Sequence, residues 1–385
     1  MAPICLAFLA GLNFLNLSVA PSVIQIKNSD KAGHRVPDIN PSRDREIAAR
    51  FAPIFYQGLG DKARNDYITN FDFDGDWRGD NNWANSQNQR LPLKAYVYYA
   101  VNETQTHYFV HYAVFHPQDY KGGESGALLS EIIREGIKRG GRYDPTGLAE
   151  EVVLAHENDL EGCLVVAAKA TGSANNLERA EVVYVETLAH NRFLKYATGP
   201  LREPAIRPRI ESFEVDGGHP QLYVEPKGHG IMVYSEGQKQ SPRRGILIYR
   251  YSGRADDPDS GHQGVVSYEL LPMITTIWPR ARKGVNETYG ASHKYGMVSI
   301  TTVGKSGKVS SRQSNLGTLG SAFLGKVGAP NMARPPWAWF DRDDAGQVMG
   351  SWFFDPAATI KRDFALGKEF SEAYVHAPLL GVFRE

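Results

Sequence analysis

Between Ala155 and Gly162 (AHENDLEG) one imidazole and three carboxylates crowd together, those of His156, Glu157, Asp159 and Glu161. Negative charge at this density raises its own energy unless a counter-charge sits close by. On a strand side chains alternate, so Asp159 and Glu161 project to one side and can reach a single ion, with His156 entering from the preceding turn. Carboxylate oxygens with one imidazole suit Ca2+, Mg2+ or Mn2+ better than zinc, whose structural sites favour Cys and several His. A solvated polar turn would use the same residues with no ion.

A second acidic run, Asn70–Asn82 (NFDFDGDWRGDNN), carries Asp72, Asp74 and Asp76 around Gly75. Counting from Asn70 or Asp72 puts Asn81 or Trp83 where an EF-hand needs its bidentate Glu, which excludes an EF-hand. A different calcium loop and an Asp/Asn-stabilised turn both stay open. Among the isolated histidines, His229 lies between Gly228 and Gly230, which allow a ligand or backbone to approach closely. His229 and His156 are the candidates for moving a proton beside a metal, as a metal-assisted hydrolase of glycan or phosphoester would need. Gly304–Val309 (GKSGKV) is no P-loop, and neither a G-x-S-x-G elbow nor an H-E-x-x-H helix occurs. Enzymatic activity is left open on these residues.

The elements that must hold these groups are mainly strands. Ala95–Val101 and Thr106–Phe115 are rich in aromatic and β-branched residues and are separated by Asn102-Glu-Thr-Gln, a hairpin signal. In the second of them Tyr108, Val110, Tyr112 and Val114 share one face, and His107, Phe109 and His111 the other. Further strands are expected at Leu160–Ala168, Val182–Thr187, Gln221–Glu225, Gly230–Tyr234, Gly245–Tyr251, Val265–Leu270 and Ser351–Phe354. Ala127–Arg139 instead places Leu128, Leu129, Ile132, Ile133 and Ile137 at helical spacing, within an insertion at about 121–150. Many strands and few helices predict a β-sandwich or jelly-roll-like fold with a surface helical insertion. Thr301–Pro336, rich in Gly, Ser and Lys, reads as a long loop.

Residues 1–20 contain an apolar run, Ile4–Ala20, that looks like an export signal, although no Lys or Arg precedes it. Residues 21–46 read as a polar linker and 47–385 as one domain. Asn13 and Asn16 interrupt the apolar run, so no integral membrane segment is expected. Acidic and basic residues balance at 43 each, which gives no positive field to gather nucleic acid. With Cys5 and Cys163 alone, a disulfide-stapled fold is excluded once the signal is removed. Asn102 and Asn286 each open an Asn-Glu-Thr glycosylation acceptor.

The spacing His-x-x-Asp-x-Glu at 156–161 resembles the metal-binding end of the G-H-R-H-D-W-E heptapeptide of the necrosis- and ethylene-inducing peptide-like proteins. Tyr112–Asp119 (YAVFHPQD) resembles that family's upstream strand, which ends in a metal-binding Pro-x-Asp. Ala155, Asn158 and Leu160 depart from the heptapeptide, and the likeness spans about residues 96–168. The resemblance implies metal ligands at Asp119, His156, Asp159 and Glu161, a β-sandwich, and Ca2+ or Mg2+ as the ion. It further implies a secreted, cytolysin-like protein that binds a glycan or lipid head group. Tyr223–His229 (YVEPKGH) also resembles a broader set of vacuolar protein sorting-related proteins. A metal that serves only as a structural staple accounts for the same ligands without any activity.

Overall fold

The computed structural model describes residues 41–120, 155–170, 177–198, 210–235, 245–260, 264–283, 285–327 and 332–384. The signal-like run and the helical insertion, Ala127–Arg139 included, lie outside the described residues. The domain begins earlier than the polar composition predicts, because Pro41–Arg50 forms a helix, α1. Its Ile47 and Ala48, with Phe51 just beyond it, are buried, and that apolar stripe is what turns the end of the expected linker into core.

After α1 come β1 (Ile54–Gly58), the short helix α2 (Asn82–Ser86), β2 (Tyr96–Thr104), β3 (His107–Asp119) and β4 (His156–Ala168). Then follow β5 (Glu181–Ala189), β6 (Arg192–Ala197), β7 (Val215–Asp216), β8 (His219–Val224), β9 (Ile231–Val233), β10 (Ile246–Tyr251) and β11 (Val265–Pro272). The long strands β12 (Tyr289–Val303) and β13 (Val309–Phe323), with β14 (Tyr374–His376), complete the set. They form a large mixed sheet in the order β6-β5-β4-β3-β2-β11-β10-β1-β8-β7, with β9 on β8 and with β12, β13 and β14 joined through β2. The fold is therefore mainly β.

The period-two pattern of β3 decides which core each residue enters. Tyr108, Val110, Tyr112 and Val114 face one apolar cluster together with α1, and the Tyr112 hydroxyl donates to the Ala48 carbonyl at 2.6 Å. Phe109, Ala113 and Phe115 face a second cluster that contains Trp337, Trp339 and Trp352. Thr187 of β5 donates its hydroxyl to the Ile231 carbonyl of β9 at 2.6 Å, so the sheet curls round the first cluster until strands remote in its order meet.

Three expectations fail for physical reasons. Ser351–Phe354 is a helical turn rather than a strand; Trp352, Phe353 and Phe354 are buried against the β3 face, where a short apolar run packs equally well as either element. Residues 301–323 are not loop but most of the β12–β13 hairpin, whose exposed face tolerates the Ser, Thr and Lys that make it look irregular. Asn102 is no turn: β2 runs on to Thr104, and Asn102, paired with Phe109 and 4% exposed, is closed to glycosylation. Asn286 is likewise engaged, its Oδ1 accepting from the Thr288 and Tyr289 amides. Among the described residues no helix is long and apolar enough to cross a membrane.

Candidate functional site

The ends of β3 and β4 form the site. Their ladder sets Asp119 directly opposite His156 and His116 opposite Asp159. Strand β5 joins β4 only from Cys163 onward, so along one edge residues 156–162 of β4 lie beyond the β5 ladder, and there the Glu157 amide donates to the Val327 carbonyl at 3.1 Å. A cavity of about 40 Å³ lies along that edge, lined by Asp119, His156, Asp159 and Glu161 with His190, Asn191, Gly228, Arg334 and Trp339. It thus brings together the four residues that the sequence singles out. A cavity of this size holds an ion and one or two waters, whereas small organic ligands fill roughly 300 Å³ or more, so a sugar would sit at its mouth.

Local backbone geometry makes the walls. His190 and Asn191 form the two-residue connection of the β5–β6 hairpin, with φ of 54° and 58°, the left-handed pair such a tight hairpin requires. His190 is held there by Glu225, Nε2 to Oε2 at 2.7 Å. Trp339 closes the wall against Gly162, where a Cβ would meet its ring at 2.3 Å, so only glycine fits.

His156 is oriented by its own strand. Its Nδ1–H donates to the Asn158 carbonyl at 2.8 Å, and its Nε2 faces Asp119 Oδ2 at 3.6 Å. Glu157, the remaining acid of the run, is used elsewhere: its carboxylate accepts from the amides of Trp83 and Lys326, both at 2.7 Å, and ties α2 to the segment after β13. Among the described residues, no three His, Cys, Asp or Glu side chains stand close enough together to form a finished metal centre.

Behind the cavity wall lies a buried array. His229, with no exposed surface, sets Nδ1 at 2.9 Å from Asp159 Oδ2 and Nε2 at 3.3 Å from Asp66 Oδ1. Burial works to lower its pKa, but the hydrogen bonds and charges of Asp159 and Asp66 outweigh it and raise the value to about 9. His116 stacks on the His229 ring with 3.7 Å between centroids, and its Nε2 donates to Gln57 Oε1 at 3.0 Å. Burial and the charge on His229 push its pKa well below the ordinary range. A neutral imidazole therefore lies against an imidazolium clamped by two carboxylates. This corrects the reading of His229 as a proton carrier, since a charged, fully buried ring with both nitrogens engaged cannot take a proton from a substrate. Sequence reasoning missed Asp66, Gln57 and His116; only His116, within the strand that ends in Asp119, carried a signal.

The Asp72–Asp76 loop is held by its own amides. Asn70 Nδ2 donates to Asp72 at 2.8 Å, Asn85 Nδ2 to Asp74 at 2.5 Å, and Asn81 Nδ2 with the Arg78 amide to Asp76 at 3.1 and 2.7 Å. Neutral donors thus meet all three carboxylates, as in an Asx-stabilised turn.

No protein-family model matches the chain, and no curated protein matches it. Among solved structures it is similar to NLPPya in complex with mannosamine, at 15% identity over 51% of this chain and 70% of that chain with a TM-score of 0.27. It is also similar to Necrosis and Ethylene inducing Protein 2 from the causal agent of cocoa's Witches Broom disease, at 15% identity over 57% and 72% with a TM-score of 0.23. A non-toxic HaNLP3 protein gives 14%, 49%, 68% and 0.24. At TM-scores this low the overlap establishes neither a shared fold nor a shared ligand. The vacuolar protein sorting resemblance at Tyr223–His229 finds no support among these similarities.

Proposed function

We propose that the cavity at the start of β4 binds a divalent cation, Ca2+ or Mg2+, through Asp119, His156, Asp159 and Glu161. The bound ion would then offer its remaining coordination positions to a glycan or lipid head group outside the cell. The observation that carries this reading is the shared cavity: residues separated by up to 42 positions, 119 to 161, line one space with an oxygen-rich donor set. The His156 hydrogen bond to a backbone carbonyl supports it, being the arrangement that fixes the tautomer and basicity of metal-ligating histidines. The same donor set favours hard cations. Binding is preferred to hydrolysis because His229, one of the two candidate proton carriers, is fully buried with its ring nitrogens facing Asp159 and Asp66. A purely structural ion is less well supported, since His190, Asn191 and Arg334 line the cavity beyond the four donors and leave polar surface for a ligand.

The test is a binding screen on a glycan array and on vesicles of defined head group, run with Ca2+ or Mg2+ and then with chelator. Binding should weaken at least about tenfold in chelator, as expected when a metal bridge is removed. Ligand retention that is identical in chelator and in cation would refute the bridge.

A further inference from the structure

We infer that Asn158 is the positioning residue that fixes the His156 ring in the cavity beside Asp159 and Glu161, and that it does so through a left-handed backbone in the middle of a strand. The inference rests on the cation reading for its function but on its own geometry for its structure. Asn158 takes φ of 61° within β4, while the β3–β4 register runs unbroken across it, Gln118 opposite Glu157 and His116 opposite Asp159. Non-glycine residues seldom adopt this conformation, and Asn is among the few that tolerate it.

Three features hold the residue there. The ladder between β3 and β4 pairs Gln118 with Glu157 and His116 with Asp159 but omits Pro117 opposite Asn158; proline has no N–H, so no strand hydrogen bond from it is lost where the backbone turns. The Asn158 side chain is fully buried and clamped from both ends. Its Nδ2 donates to the carbonyls of Gly79 at 2.7 Å and Leu324 at 2.8 Å, and its Oδ1 accepts from Asn82 Nδ2 at 2.7 Å. Gly79 must be glycine for that clamp to close, since a Cβ there would lie 2.1 Å from the Leu324 carbonyl oxygen. Finally, the turned backbone aims the Asn158 carbonyl at His156 Nδ1, 2.8 Å away. One residue therefore supplies both the left-handed backbone and the acceptor that fixes the tautomer of the proposed ligand.

A series at this position separates backbone from side chain. Asn158→Gly keeps the left-handed conformation and loses the clamp, Asn158→Ala penalises the conformation, and Asn158→Val forbids it most strongly. Mn2+ and Ca2+ titrations of the full chain should give midpoints within about threefold of wild type for Asn158→Gly, about tenfold weaker for Asn158→Ala, and weaker still for Asn158→Val. All three should melt lower. The nitrogen chemical shifts of His156, read by NMR without metal, should report a proton on Nδ1 in wild type and Asn158→Gly and a tautomer mixture in Asn158→Ala. If Asn158→Val fails to fold, the Gly and Ala pair still decides. Cation midpoints and His156 tautomer that are the same in Gly and Ala variants would overturn the inference and leave Asn158 a mere clamp. A wild type that shows the expected tautomer series but no cation response would sink the cation reading alone.

Discussion

Replacing His229 by Gln should destabilise the folded chain by about 3–5 kcal/mol at pH 7, the cost of leaving buried charges without their partner. His229 is the cation between Asp66 and Asp159, which are 1% and 6% exposed, and glutamine removes its charge while keeping a donor. The pH dependence follows from the same group. Its pKa is raised from 6.5 to about 9 on folding, so its contribution is fully present below about pH 6.5 and is lost as the pH rises through about 9. The span corresponds to roughly 3 kcal/mol at 1.36 kcal/mol per unit. Urea unfolding of wild type and His229→Gln at pH 6.5, 7.5, 8.5 and 9.5 checks this: the stability gap between the two should narrow steadily with rising pH. A gap that is constant across the range would mean that His229 is neutral in the folded chain.

The second large effect concerns the cavity donors. Glu161→Gln and Asp119→Asn each remove one carboxylate, and each should weaken divalent-cation binding by at least about 100-fold, since even outer-shell partners of a metal are worth 10–100-fold. Asp159 is a poorer choice for this experiment, as it also holds His229 at 2.9 Å and its loss would disturb the buried array. Thermal melts at increasing Ca2+ or Mg2+ read the outcome, since an ion that binds only the folded chain raises the melting temperature with concentration. Variants that keep the wild-type cation response would show that these carboxylates are not ligands.

Much of the fold was legible where side-chain alternation alone fixes the answer. Tyr108 to Phe115 divide between two cores as their spacing requires. That His156, Asp159 and Glu161 share a cavity was legible because they crowd one strand end, while Asp119 entered only through the resemblance. The illegible parts depend on long-range packing. The Ser351–Phe354 run is apolar on all sides and becomes helix only because a sheet face waits for Trp352. The β12–β13 hairpin hides behind Ser, Gly and Lys because much of its surface meets water. Asp66 sits in a short 3-10 turn with nothing local to mark it; it accepts from the Gly60 and Lys227 amides and faces His229, 163 positions away. Asn158, a departure from the family heptapeptide, is conspicuous only once its backbone conformation is known.

The most direct measurement is anomalous diffraction from a crystal of the full chain soaked in millimolar Mn2+. One peak is expected in the cavity at the start of β4, with Asp119, Asp159 and Glu161 oxygens and His156 Nε2 at roughly 2.1–2.6 Å. A well-ordered cavity with no peak at saturating Mn2+, or a peak coordinated by other residues, would contradict the cation site.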